Sequence, residues 1–194
     1  DQSRFYPGRL DDETQAVVER MFWLYVSKMS RFERAGLDHV WSIHGSENHE
    51  MMHYSNALLA LQALKNSPKY NNRILPDGRS VKAHYEAWNT YYKEYCASRA
   101  KHGLLVEVFS AYGPSYTLPE IMNMRDLSED GVLRERMDKL LHLIWADWAV
   151  GQVAGVRGGG RTRIYQDDPN NIRRQTEWGS RDRWRTMSKV LLNE

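Results

Sequence analysis

The sequence predicts an all-α protein, about five helices arranged as antiparallel hairpins in a single domain over residues 1–194. Two observations carry that prediction. Apolar residues recur at spacings of three and four in one stretch after another, the period of a helix that buries one face. Between those stretches stand clusters of Gly, Pro, Asn and Asp, the residues that turn a chain. A chain of 194 residues can bury a sizeable core as one domain.

The elements follow in order. Residues 1–10 hold Pro7 and Gly8 and read as a loop. Two acidic residues then precede Val17, Val18, Met21, Phe22, Leu24, Tyr25 and Met29, a first helix that ends between Phe32 and Gly36. The second helix spans about Glu47 to Lys65. Its second half is apolar nearly all round, which marks an inner helix. Residues 66–79 form a loop, with Pro76-Asp77-Gly78 as a turn. The third helix covers about Val81 to Lys101, carries Trp88, Tyr91, Tyr92 and Tyr95, and closes on Gly103 as a C-cap. Leu104 to Phe109 reads as short, apolar and extended, and Ser110 to Tyr116 as a turn-rich loop. Thr117 then caps a fourth helix through Leu118, Ile121, Met122, Met124 and Leu127. Asp130-Gly131 breaks it, and a fifth helix runs from Val132 to about Val153. A last helix-like run, Trp184 to Leu192, follows a glycine- and arginine-rich region over residues 156–183. The chain opens on loop-like residues without Met and ends on that run without a stop signal, so it reads as a piece of a longer protein.

Composition bounds the function. With 27 basic and 25 acidic residues the net charge is +2, which predicts neither a polyanion binder nor a disordered tail. No apolar run reaches the ~20 residues of a membrane span. Cys96 is the single cysteine, so no internal disulfide can form. Seven Trp and eleven Tyr favour a binding cleft, because these rings stack on sugars, peptides or bases.

Titratable groups concentrate in Trp41-Ser-Ile-His-Gly-Ser-Glu-Asn-His-Glu-Met-Met-His53, the entry to the second helix. Ser46 suits the N-cap, and Glu47 and Glu50 suit the positive end of the helix dipole. Two chemistries compete for this stretch. His49-Glu50-x-x-His53 places two imidazoles one turn apart with a glutamate able to activate water, the pattern of a zinc hydrolase. Its third ligand would have to be Glu86 or Glu107, neither in a recognisable partner motif. Asn48-His49 is alternatively a catalytic pair.

The second alternative meets a family. Ser46-Glu-Asn-His49 at the start of an inner helix resembles the Asn-His pair of the toroidal polysaccharide lyases, the alginate lyase and heparinase type. Glu107-Val-Phe-Ser110-Ala-Tyr112-Gly-Pro-Ser-Tyr116-Thr-Leu looks like their second element, a Glu, a Ser three later and one or two tyrosines. Asn123-x-x-Asp126 and Trp145-Ala-Asp-Trp-Ala149 share the family's look, and the likeness covers roughly residues 40–165. The place three after the serine, where the family usually carries its catalytic tyrosine, is taken here by Gly113, so Tyr112 and Tyr116 both stand as candidates.

The resemblance implies part or all of an (α/α) toroid and a secreted or periplasmic enzyme that cleaves an anionic, uronate-containing polysaccharide such as alginate or glucuronan by β-elimination. It implies no cofactor and no metal; charge balance speaks against a nucleic-acid partner and the lack of a long apolar run against a membrane. The proton at C5 of a uronate is too weakly acidic to leave while the neighbouring carboxylate is unshielded. Asn48, with a histidine, can hydrogen-bond that carboxylate and stabilise the charge that develops. Tyr112 or Tyr116 would act as base and acid. Tyrosine, with an unperturbed pKa of ~10, needs a neighbouring cation for this. His49 would be base or carboxylate partner. Trp41, His44, Glu47, His53 and Glu107 would line the substrate cleft.

Arg157-Gly-Gly-Gly-Arg161-Thr-Arg163-Ile-Tyr165 belongs to a stretch with eight arginines between Arg157 and Arg185. Arg157, Arg161, Arg163 and Tyr165 could hold glycan carboxylates and stack a sugar ring. Asp167, Asp168, Glu177 and Asp182 dilute the patch, which counts against a nucleic-acid groove. A glycan-binding helical domain without catalysis and a purely structural helical domain are the remaining alternatives.

Overall fold

The computed structural model describes residues 8–40, 45–107, 113–153 and 156–157, and within them the fold is all-α. Helix α1 is Asp12–Met29. Its N-cap Asp11 accepts from the Thr14 N–H at 2.7 Å, which satisfies one orphan donor of the first turn. Two 3-10 turns, Phe32–Ala35 and Leu37–His39, follow where the sequence predicts the end of that helix. Helix α2, Glu47–Asn66, and helix α3, Val81–His102, are joined by the 67–80 loop, whose Gly78 turns with φ +85°. Gly103 ends α3 with φ +123°, a conformation that L side chains rarely adopt.

Helix α4, Leu118–Leu127, does not begin as the sequence predicts. A π-helical turn, Gly113–Thr117, runs directly into it, so Thr117 already has helical dihedrals and its hydroxyl caps nothing. The segment from Gly103 to Glu107 forms bends and no strand, with Leu105 turned into the core; Val108 and Phe109 lie outside the described residues. Helix α5, Gly131–Val150, begins one residue earlier than predicted because Asp130 is its N-cap, accepting from the Leu133 N–H at 2.9 Å. It stops at Val150, and Gln152–Val153 (β1) pairs with Val156–Arg157 (β2) in a two-residue antiparallel hairpin.

Long-range contacts fix how the helices lie. Tyr54 stacks on Trp88 and Lys65 sits over Tyr85, so α2 and α3 run antiparallel. Arg125 reaches Asp138 and Arg134 reaches the Ser128 carbonyl, so α4 and α5 do the same. Ser55 donates to Glu120 and Gln62 to the Leu127 carbonyl, which makes α2 and α4 parallel. Cys96 meets Met137 and Arg136 donates to the Lys93 carbonyl, which makes α3 and α5 parallel. The result is two like hairpins side by side, with α1 against α2. Leu58, Leu61, Trp88, Ile121, Met137 and Ile144 fill the core between them.

The buried face of α2 includes Met51, Ser55, Leu58 and Leu61, while Asn56 and Gln62 reach the surface. An apolar groove of about 760 Å³ runs between α1, α2 and α4, lined by Val18, Met21, Phe22, Leu59, Ala63 and Leu127 among others. Among the described residues no helix is long and apolar enough to cross a membrane.

Candidate active site at the start of α2

Because α2 and α4 are parallel, the start of α2 and the π turn that leads into α4 lie at the same end of the molecule. The described parts of the two motifs singled out in the sequence, some sixty residues apart, lie there together. Ser46 occupies the N-cap position of α2 with extended dihedrals, as predicted, but its hydroxyl does not cap the helix. It donates to Asn48 Oδ1 and lies 3.3 Å from Glu107 Oε1. Asn48 is only 3 % exposed. Its amide oxygen is the atom that faces Ser46.

Glu47 is in the first turn of α2, as the sequence predicts. A carboxylate in the first turn ordinarily faces solvent and the helix dipole. Here it is 5 % exposed and accepts from two consecutive backbone N–H groups, Val106 at 3.1 Å and Glu107 at 2.8 Å. It also pairs with Arg99 Nη1 at 3.0 Å, and Arg99 is 2 % exposed. The Arg99 guanidinium lies over the Tyr95 ring, 4.8 Å from its centroid. Beneath this pair is a cavity of about 20 Å³, room for about one water, whose walls include Glu50, Tyr54, Tyr91 and Tyr95. Burial, then the negative charge of Glu50, pushes the Tyr91 hydroxyl up to about 12, with Arg99 partly opposing. Tyr91 is therefore a neutral phenol near pH 7 and can only donate or accept hydrogen bonds there.

His49 and His53 are exposed on one face of α2, their ring centroids 6.4 Å apart. Among the described residues no three of His, Cys, Asp and Glu stand close enough together to hold a metal ion. Glu86 is on the exposed face of α3, where it pairs with Lys82 at 3.8 Å. Glu107 is half-buried and engaged with Ser46. Tyr116 lies in the π turn, 36 % exposed, on a segment that packs against α2. Trp41, His44, Tyr112, Arg161, Arg163 and Tyr165 lie outside the described residues, as does the side chain of Arg157, whose main chain is in β2.

Sequence reasoning missed Arg99 and gave Ser46 too small a part. The signal for Arg99 is in its spacing. Trp88, Tyr92, Tyr95 and Arg99 follow one another at four, three and four, so the arginine sits on the buried stripe of α3. Glu47, Met51, Ser55 and Leu58 follow at four, four and three, so the glutamate sits on the buried stripe of α2. An acid and a base on facing stripes, at the ends that meet in an antiparallel hairpin, predict an ion pair.

Compared with known protein families, curated proteins and solved structures, the chain finds no match.

Proposed function

We propose that this chain is part or all of a polysaccharide lyase that cleaves a uronate-containing glycan by β-elimination. The observation that carries the reading is the Ser46 hydroxyl, which lies within donating reach of both Asn48 Oδ1 and Glu107 Oε1, sixty-one positions further along the sequence than Ser46. That nearness of Asn48 and Glu107 supports a single site drawn from the two resembling motifs. Two parallel hairpins, α2–α3 and α4–α5, support an arc of an (α/α) toroid with α2 and α4 as its inner helices.

In this mechanism Asn48 donates to the substrate carboxylate, so that negative charge can spread onto it as the C5 proton leaves. His49, one residue on and exposed, takes that proton or shares the carboxylate. Tyr116 or Tyr112 takes the proton when it lies on the opposite face, and returns one to the departing O4. The C5–H electron pair forms the C4–C5 double bond as the C4–O4 bond breaks, so the step needs neither water nor an oxidant. His53 and Glu107 border the substrate. Arg157, Arg161, Arg163 and Tyr165 are proposed glycan contacts, and a secreted or periplasmic location fits such a substrate.

The test is ultraviolet absorbance from the new double bond during incubation with glucuronan, alginate and heparin-type polymers, with and without chelator. Wild type produces the signal with chelator present. Asn48→Ala lowers kcat by roughly 100- to 1,000-fold, the loss seen when one charge-stabilising donor is removed. Absence of signal on every uronate polymer overturns the reading, and loss of the signal with chelator overturns its metal-free mechanism.

A further inference from the structure

We infer that the buried Glu47–Arg99 pair is the positioning element of this site, fixing the start of α2, with Asn48 and His49, against the segment that carries Glu107. The catalytic part of this inference rests on the lyase reading; the mechanical part stands on geometry alone.

Residues 104–107 lie outside any helix or strand ladder, so their backbone N–H groups need partners from elsewhere. Glu47 gives one carboxylate to two consecutive N–H groups, those of Val106 and Glu107. Arg99, itself seated on Tyr95, holds that carboxylate from the α3 side at 3.0 Å. Ser46 stands beside both segments, its one hydroxyl proton within reach of Asn48 Oδ1 and of Glu107 Oε1. The Glu47 contacts tie the start of α2 to residues 106 and 107 on one side and to α3 on the other.

Stability alone does not account for such a pair. Two well-packed apolar side chains in place of a buried ion pair are often as stable or more so. An apolar side chain cannot accept from two backbone N–H groups, however, and so cannot hold residues 106 and 107 in register. Direction is what the charge supplies here. Glu47 and Arg99 are positioning residues, acting on the reaction through Asn48 and Glu107.

The experiment compares wild type, Glu47→Leu/Arg99→Met and Glu47→Asp. The double variant removes both charges with little change in volume and leaves no orphan charge. Glu47→Asp keeps the charge but draws the carboxylate back by one methylene. Each is followed by circular dichroism, by steady-state kinetics on glucuronan and on alginate, and by hydrogen exchange at the Val106 and Glu107 amides. Both variants are expected to fold, to lose roughly 100-fold in kcat from misplacement of the site with KM little changed, and to lose protection at those two amides while α5 keeps its own. A folded variant with wild-type kcat overturns the inference, and so does wild-type protein whose two amides exchange as freely as exposed ones. Should the double variant not fold, Glu47→Asp decides the question. Should wild type show no elimination on either polymer, the lyase reading fails for these substrates, and hydrogen exchange at the two amides alone decides the clamp.

Discussion

Ser30, His84 and Asp77 form a hydrogen-bonded chain of the residue types found in hydrolytic triads. The Ser30 hydroxyl is 2.8 Å from His84 Nδ1, and the Asp77 carboxylate oxygens are 3.0 and 3.1 Å from His84 Nε2. Trp88 Nε1–H donates to the same serine oxygen at 3.1 Å, and His84 is 1 % exposed beneath the edge of Phe32. The arrangement ties the end of α1 to the 67–80 loop and to α3. Ser30→Ala is expected to lower stability by about 1–3 kcal/mol, from groups left unpaired, and to leave elimination kinetics unchanged; urea unfolding and the ultraviolet assay check both. Asp130 is another polar anchor. Burial works against its charge, but Lys93, Asn89 and the Leu133 N–H hold its carboxyl well below the usual carboxylate range. A carboxyl lowered in the folded state contributes stability that is full above the unfolded pKa of ~3.9 and fades as the pH falls towards the folded value. Asp130→Ala should cost about 2 kcal/mol near neutral pH through the lost cap, and the gap to wild type should narrow below pH ~4 in urea titrations.

At the scale of the element, the ends of α3 and α4 show what is locally written and what is not. Gly103 is legible as a C-cap from its place after a long periodic run, and its φ of +123° agrees. Gly103→Ala is expected to cost at least about 1 kcal/mol in thermal unfolding, because alanine is strained there. Thr117 has the residue type of a cap and is not one, because the chain enters α4 through a π turn already wound as helix. No residue between 113 and 117 announces that; it depends on packing against α2. Ser46 is legible as the first residue outside α2, yet its hydroxyl serves Asn48 and Glu107. Those partners are set by tertiary structure, and local spacing says nothing of Glu107. Glu47 and Arg99 are legible in principle, since both lie on buried stripes.

At the scale of the molecule, the five α-helices among the described residues and their order follow from periodicity, whereas the parallel relation of successive hairpins does not. That relation depends on contacts such as Ser55 with Glu120 and Gln62 with Leu127, each spanning sixty-five residues. The core that the hairpins share should respond as one cooperative body. Leu61 is fully buried where α2 meets its neighbours, and Leu61→Ala is expected to cost about 3 kcal/mol. Denaturant midpoints by circular dichroism should fall together for signals from any helix, and separate transitions for α2–α3 and α4–α5 would contradict a shared core.

The groove between α1, α2 and α4 bears on how such experiments are read. Met21 is 62 % exposed there, with Leu10 and Leu127 beside it on the surface. An apolar trough of this size in the native state is a ready berth for environment-sensitive dyes. Native protein should therefore fluoresce with such a dye before any heating, and the usual rise on melting should be blunted by loss of the native berth. Dye brightness in this protein reports occupancy of a native surface, and intrinsic tryptophan or circular dichroism is the sounder gauge of unfolding.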